Sequence, residues 1–183
     1  HLATSKEDIL AASRDLIKEN GWAAVSIRAV ASRCSVSAGT IYNYYESKAD
    51  LLSDTIESIW HEIFFHPEDE QVFHDVESCI SWIYERLEYG NRQFPGFFSL
   101  HSFGFMRDEK TSGKKRMMKT WGHILNGLCE VLGNDPKVRA DVFDQEFTEK
   151  KFADILFSLI LVSMIRQDYD PSSVLMLVKK TLY

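Results

Sequence analysis

Residues 25–52 read VSIRAVASRCSVSAGTIYNYYESKADLL, and this stretch decides the fold. Three serines punctuate it. Ser26, Ser37 and Ser47 each stand just before an apolar-periodic run, where a side-chain oxygen can accept the unpaired amides of a helix start. From Ser26 the apolar residues Ile27, Val30 and Ala31 share one helical face, and the run ends near Cys34-Ser35. From Ser37 a short helix over 38–45 places Ile41 and Tyr45 on one inward face at i,i+4. From Ser47 a longer helix carries Leu51, Leu52, Ile56, Ile59 and Trp60, extending to Ile63 and Phe64. Upstream, residues 4–20 form a helix with Ile9, Ala12, Ser13, Leu16 and Ile17 at helical spacing. Thr4 and Glu7 offer it a capping box, and Gly21 follows where a C-cap belongs.

Two short helices joined by a tight turn and held by a preceding helix describe a helix-turn-helix. A recognition helix must enter a groove about 12 Å wide, so its inner face is narrow and its outer face is small or polar. Ser37, Ala38, Gly39, Thr40, Tyr42, Asn43 and Tyr44 supply that outer face. Ala38 and Gly39 allow close approach to base edges, Thr40, Tyr42 and Tyr44 offer hydroxyls to phosphates, and Lys48 adds a cation one turn on. The plain alternative is a helical hairpin whose tyrosines fill core space.

The remaining sequence is helical too. Runs over 72–89, 94–105 (interrupted by Pro95-Gly96), 112–132, 144–166 and 172–183 complete an all-α chain of about nine helices, with no useful strand alternation. His66-Pro67, followed by Glu68-Asp69-Glu70, marks the expected boundary between domains at 1–65 and 66–183. The 183 residues, 45% apolar and 26% charged, provide for a real core, and nine Gly and four Pro exclude collagen-like and low-complexity structure. The longest uncharged apolar stretch, 155–165, spans about 16 Å as a helix, half the roughly 30 Å of a bilayer's hydrocarbon. No membrane span and no export leader are expected. Cys34, Cys79 and Cys129 are odd in number and far apart, which fits reduced thiols in the cytoplasm. The net charge of −6 hides a sorted distribution, acidic over 62–88 and basic over 107–119.

The 25–52 run resembles the DNA-binding domain of the TetR (tetracycline repressor-like) family of bacterial transcription regulators. Arg28, Ala31, Val36, Ser37, Gly39, Thr40, Tyr42, Tyr44, Ser47, Lys48, Leu51 and Leu52 match its pattern in register, with close substitutes at Ser26, Val30, Ile41 and Tyr45. Three departures stand out. Ser35 replaces the turn glycine, at a cost on the order of 1 kcal/mol if that position is left-handed. Cys34 replaces an alanine, and Tyr45 a phenylalanine, so a buried hydroxyl needs a partner or an edge position.

The resemblance implies a ligand-responsive dimeric regulator, a repressor, bound to a palindromic operator on double-stranded DNA and released by a small-molecule effector; the aromatic residues of the middle of the chain suit a small apolar or aromatic one. Its DNA-binding set is Ser26, Arg28, Ser37, Ala38, Gly39, Thr40, Tyr42, Asn43, Tyr44 and Lys48. The helices after residue 66 would form a ligand-sensing domain whose last two helices pack in a homodimer. Residues 152–165, apolar nearly all round, and Val174, Leu175, Leu177 and Val178 agree with that role. The expected dimer interface is Ile155, Leu159, Val162, Leu175 and Val178.

The aromatic crowd in the middle of the chain is the place to look for an effector. Trp82, Phe97, Phe98, His101, Phe105, Trp121 and Leu125 are the expected ligand-binding residues, since ligand pockets are mostly apolar with few polar groups. No catalytic site, cofactor or metal is expected. His61 and His66 lie five residues apart, roughly 140° round a helix, and cannot share a metal face. Gly113-Lys114-Lys115-Arg116 reads as a solvated helix start and Cys34 as a small packed thiol. Two other classes compete: a ligand-binding dimer that no longer binds DNA, in view of Ser35 and the balance of six bases and six acids in residues 1–50, and an enzyme on an all-α scaffold.

Overall fold

The computed structural model describes residues 4–65, 73–100 and 112–183. Among these residues the elements are all helical, in the order α1 (Lys6–Asn20), a 3-10 turn (Trp22–Ala24), α2 (Ile27–Arg33), α3 (Ala38–Tyr42), α4 (Lys48–Phe64), α5 (Val76–Gln93), α6 (Phe97–Leu100), α7 (Ser112–Asn134), α8 (Glu149–Arg166) and α9 (Ser172–Leu182). No helix among them is long and apolar enough to cross a membrane. The chain divides into two compact units, one comprising His1–Phe65 with Gly90–Met118 and the other His66–Tyr89 with Lys119–Tyr183. Helices α5 and α7 each contribute residues to both.

In the first unit α1 packs on α2 and α4, and α2 on α3. The core is the apolar stripe read from the sequence: Ile9, Ile17, Val30, Ile41, Leu51, Ile59 and Ile63 have no exposed surface. The N-cap of α1 is Ser5 rather than Thr4. Its side chain accepts the Asp8 amide at 3.1 Å, and the Asp8 carboxylate takes the Ser5 amide at 3.0 Å. The overlapping Thr4–Glu7 and Ser5–Asp8 pairs both fit the capping spacing, and Thr4 is instead buried beside the helix–turn–helix. A polar ladder fixes α1 against α4, with Lys6 on Asp54 at 2.8 Å, Arg14 on Ser58, and Lys18 on Glu62 at 2.8 Å. Inside that ladder Ser13 and Thr55, both fully buried, share a 2.9 Å hydrogen bond, and the Thr55 hydroxyl also donates to the Leu51 carbonyl at 2.7 Å.

In the second unit, two helix starts lie later than the periodicity implies, each for a local reason. The Asp75 carboxylate accepts the Ser78 amide at 2.7 Å, so α5 starts at Val76 rather than Val72. The Asp144 carboxylate accepts the amides of Glu146 and Phe147 at 2.8 and 2.7 Å. This closes a turn, and Thr148 then caps α8. Asp135, 5% exposed, ties three segments together. Its carboxylate accepts the Val76 amide at 2.9 Å, the Lys137 amide at 2.9 Å and the Tyr183 hydroxyl at 2.5 Å. Burial and that carboxylate push the Tyr183 phenol well above its ordinary range. Tyr84 and Ser163 join α5 to α8 through a 2.8 Å hydrogen bond.

Candidate nucleic-acid interface

Each helix of the 26–64 region starts on the serine expected of it. Ser26 accepts the Ala29 amide, Ser37 the Thr40 amide and Ser47 the Asp50 amide, at 3.1, 3.2 and 3.2 Å. Helix α3 is shorter than the expected 38–45. Regular helix stops at Tyr42, although the Tyr45 amide still donates to the Ile41 carbonyl at 3.1 Å. That last bond keeps Ile41 and Tyr45 together on the inward face, at 0% and 4% exposure.

The turn between α2 and α3 is a Schellman closure. The Val36 amide reaches back to the Ala31 carbonyl at 3.0 Å and the Ser35 amide to the Ser32 carbonyl at 3.1 Å, the 6→1 and 5→2 bonds of that motif. The residue between them must be left-handed, and Ser35 is, with φ 56°. The turn therefore has the geometry a glycine would give, held by a serine.

With the inward face closed, the outward face is set. Arg28, Ser37, Gly39, Tyr42, Asn43 and Lys48 are exposed, and Ser26, Ala38, Thr40 and Tyr44 are half-buried. Tyr42 projects furthest, with 54% of its surface exposed. The Thr40 and Ser37 hydroxyls bond each other at 3.1 Å. Tyr44 departs from its neighbours: its hydroxyl donates to the Thr4 carbonyl at 2.7 Å and pins the start of α1 beside the recognition helix.

Charge is allotted unevenly over the same surface. Four of the six bases in residues 1–50 are matched to acids: Lys6 to Asp54, Arg14 to Glu7, Lys18 to Glu62 and Arg33 to Glu19. The Glu19 carboxylate is accordingly held below its ordinary range by its hydrogen bond to Arg33. Arg28 and Lys48 make no ion pair among the described residues and are exposed. An overall balance of six and six thus leaves two unneutralised cations flanking α3.

Gly39 adds a steric observation. A Cβ built on it would meet only the Ser37 hydroxyl oxygen, at 3.6 Å, an ordinary contact, and its φ is not positive. Nothing in the protein itself requires glycine there, although glycine in a helix costs about 1 kcal/mol relative to alanine.

The residues expected to bind a ligand fall into separate groups. Phe97 and Phe98, each 1% exposed, lie with ring centroids 5.4 Å apart in the first unit and pack on Trp60 at 5.6 and 5.4 Å. Trp22 and Phe94 approach Phe97 at 6.1 and 6.3 Å. In the second unit Trp121 meets Phe157 edge-on at 5.7 Å, Trp82 lies 5.3 Å from Phe73, and Leu125 is half-buried. His101 and Phe105 lie outside the described residues. Trp60 was read in the sequence as core of α4, and only its three-dimensional neighbours attach it to this aromatic group.

Helices α8 and α9 each have two apolar faces. Phe152, Ala153, Leu156, Ile160 and Met164 are buried, while Ile155, Val162 and Ile165 are 44%, 44% and 54% exposed on the other side of α8. On α9, Val178 and Leu182 have no exposed surface, so Val178 serves the unit's own core, whereas Met176 and Leu177 are 52% and 39% exposed. Leu159 and Leu175 are half-buried. Ile165 and Met176, exposed in the same way, were not named for the expected interface, and Leu177 was named only for the apolar face of its helix; helical periodicity alone does not say which of two apolar faces is turned inward.

Comparison with known proteins agrees with this geometry. The family described as "Bacterial regulatory proteins, tetR family" matches residues 9–55. The HTH-type transcriptional regulator UidR of Escherichia coli (strain K12) is 38% identical over 48 residues, 26% of this chain. The match spans 24% of that relative's length. Among solved structures, the transcriptional regulator FadR from Bacillus subtilis in complex with stearoyl-CoA superposes with a TM-score of 0.66 at 19% identity, covering 98% of this chain and 100% of that one. The reduced form of E. coli NemR gives 0.64 at 17% identity, covering 97% of each chain. At these identities the likeness is one of fold. The serine-capped helices, the left-handed turn and the matched segment lead to one conclusion: residues 9–55 form a helix-turn-helix domain that matches the tetR family of bacterial regulatory proteins.

Proposed function

We propose that this protein is a dimeric transcription regulator, a repressor, that binds a palindromic operator through α3 and is released by a small apolar or aromatic effector. The observation that carries the reading is the outward face of α3. It presents a glycine that the fold does not require, an exposed tyrosine, and two flanking cations, Arg28 and Lys48, with no ion-pair partner among the described residues. Small residues at a helix start let it sit against base edges, while hydroxyls and cations meet phosphates.

The exposed apolar faces of α8 and α9 support the dimer. Ile155, Val162, Ile165, Met176 and Leu177 are large apolar side chains that a second copy would cover. A two-fold arrangement would set two recognition helices about 34 Å apart, one turn of DNA. Helix α4 supports the switch: it starts at Lys48 beside α3 and ends in the Trp60–Phe97–Phe98 cluster of the same unit.

A gel-shift with DNA from upstream of the protein's own coding sequence tests the reading. Retarded complexes that a scrambled duplex does not compete away are expected, and mass spectrometry of the purified protein should find a retained small molecule that reverses them. Binding no stronger than to the scrambled duplex would leave a ligand-binding dimer without operator recognition.

A further inference from the structure

Trp60 stands in the last two turns of α4 with 1% of its surface exposed, and its indole nitrogen has no hydrogen-bond acceptor among the described residues. Its surroundings are rings. Phe64 stacks on it at 5.8 Å with 11° between planes, and Phe97 and Phe98 tilt against it at 5.6 and 5.4 Å. The packing beside it is tight. A Cβ on Gly90 would lie 2.6 Å from the end of the Ile63 side chain and 3.0 Å from the Phe98 ring, so a larger residue there would have to displace Ile63.

An indole N–H is a donor and nothing else. Buried without an acceptor it bears the full desolvation penalty, and native proteins leave few such groups. A phenylalanine would bury a ring there without a donor, though its smaller side chain would leave part of the indole's space unfilled. The indole's bulk serves the packing, but no described acceptor uses its donor, and its position at the end of α4 opposite Lys48 suits contact with an effector.

We propose that the Trp60 indole N–H is the hydrogen-bond donor of an effector site, taking a neutral, compact apolar molecule with a single carbonyl-type acceptor seated against Phe64, Phe97 and Phe98. The acceptor is neutral because a bare carboxylate among rings would be buried without a countercharge. The inference rests on the ligand-responsive reading above and names the chemistry and the contact atom of that site.

The test uses the full chain and two probes of one shape, acetophenone, which carries a carbonyl, and 2-phenylpropene, which has a methylene in its place. Binding is measured by calorimetry, and the indole N–H resonances are followed by 15N NMR, with Trp60 assigned by its loss in Trp60→Phe. Acetophenone is expected to bind about tenfold tighter than 2-phenylpropene, the worth of one buried hydrogen bond, and to move the Trp60 proton downfield. Trp22→Phe is expected to keep that preference and Trp60→Phe to lose it. Equal affinities, an unmoved Trp60 resonance, a preference that survives Trp60→Phe, or no binding of either probe would each overturn the assignment. A gel-shift on the same samples separates the two readings. Protein that binds operator but fails the probe test refutes this inference alone, and protein that passes the probe test without binding DNA refutes the regulator.

Discussion

Replacing Ser35 with glycine should stabilise the protein, and the size of the effect follows from the turn. Ser35 has φ 56°, in the left-handed region, between the two bonds of a Schellman closure. An L-residue with a Cβ loses roughly 1–2 kcal/mol there relative to glycine. Glycine returns roughly 0.5–1 kcal/mol of that through the greater freedom of the unfolded chain. Taking the middle of each range, the net gain is about 0.75 kcal/mol. With a urea dependence of about 2 kcal/mol per molar, that moves the unfolding midpoint up by about 0.3–0.5 M. Gln167 provides a matched case in the second unit. Its φ is 52°, and the Gln167 and Asp168 amides donate to the Met164 and Ser163 carbonyls at 3.3 and 3.1 Å, the same pair of bonds at the end of α8. Gln167→Gly should raise the midpoint by a similar amount. If both variants were destabilised, or if neither moved, the left-handed strain assigned to these turns would be refuted. An effect at Gln167 alone would show that Ser35 relieves its strain by a contact other than the backbone closure.

Further outcomes follow from the site. Gly39→Ala should stabilise α3 by up to about 1 kcal/mol yet weaken operator binding, because its methyl group meets only an ordinary contact inside the protein; thermal melts and gel-shifts on one preparation decide it. Tyr42→Phe should cost about 1 kcal/mol of operator affinity and leave stability unchanged, whereas Tyr44→Phe should cost about 1 kcal/mol of stability through the lost bond to Thr4. Ile165→Glu, at a site 54% exposed in the single chain, should keep helicity by circular dichroism but elute as a monomer in size-exclusion chromatography.

Some of this was legible because it is local. A serine that caps a helix does so within three residues, so Ser26, Ser37 and Ser47 could be placed without knowing the fold. The left-handed Ser35 was legible through the family pattern, where a glycine stands. Where two local solutions compete the sequence cannot choose. Thr4–Glu7 and Ser5–Asp8 have equal capping claims, and burial of Thr4 against Tyr44, forty residues away, decides between them. The same limit applies to charge. Lys6, Arg14, Lys18 and Arg33 look as available as Arg28 and Lys48 until the α1–α4 ladder and the Glu19 pair engage them. The aromatic residues show it most strongly. Periodicity marks Phe97, Phe98 and Trp60 as apolar but does not say that rings from either side of His66 meet at 5.4–5.6 Å.

The most direct test of the account is the salt dependence of operator binding by the wild-type protein and by Lys48→Ala. Lys48 is exposed at the first turn of α4, beside the recognition helix, with no ion-pair partner among the described residues. A phosphate contact there releases about one counterion, so a plot of log affinity against log salt should lose about one unit of slope per protomer engaged. The loss should be equal on the operator and on unrelated duplexes. An unchanged slope, with affinity for the operator also unchanged, would show that DNA does not meet the face built by α3 and the start of α4.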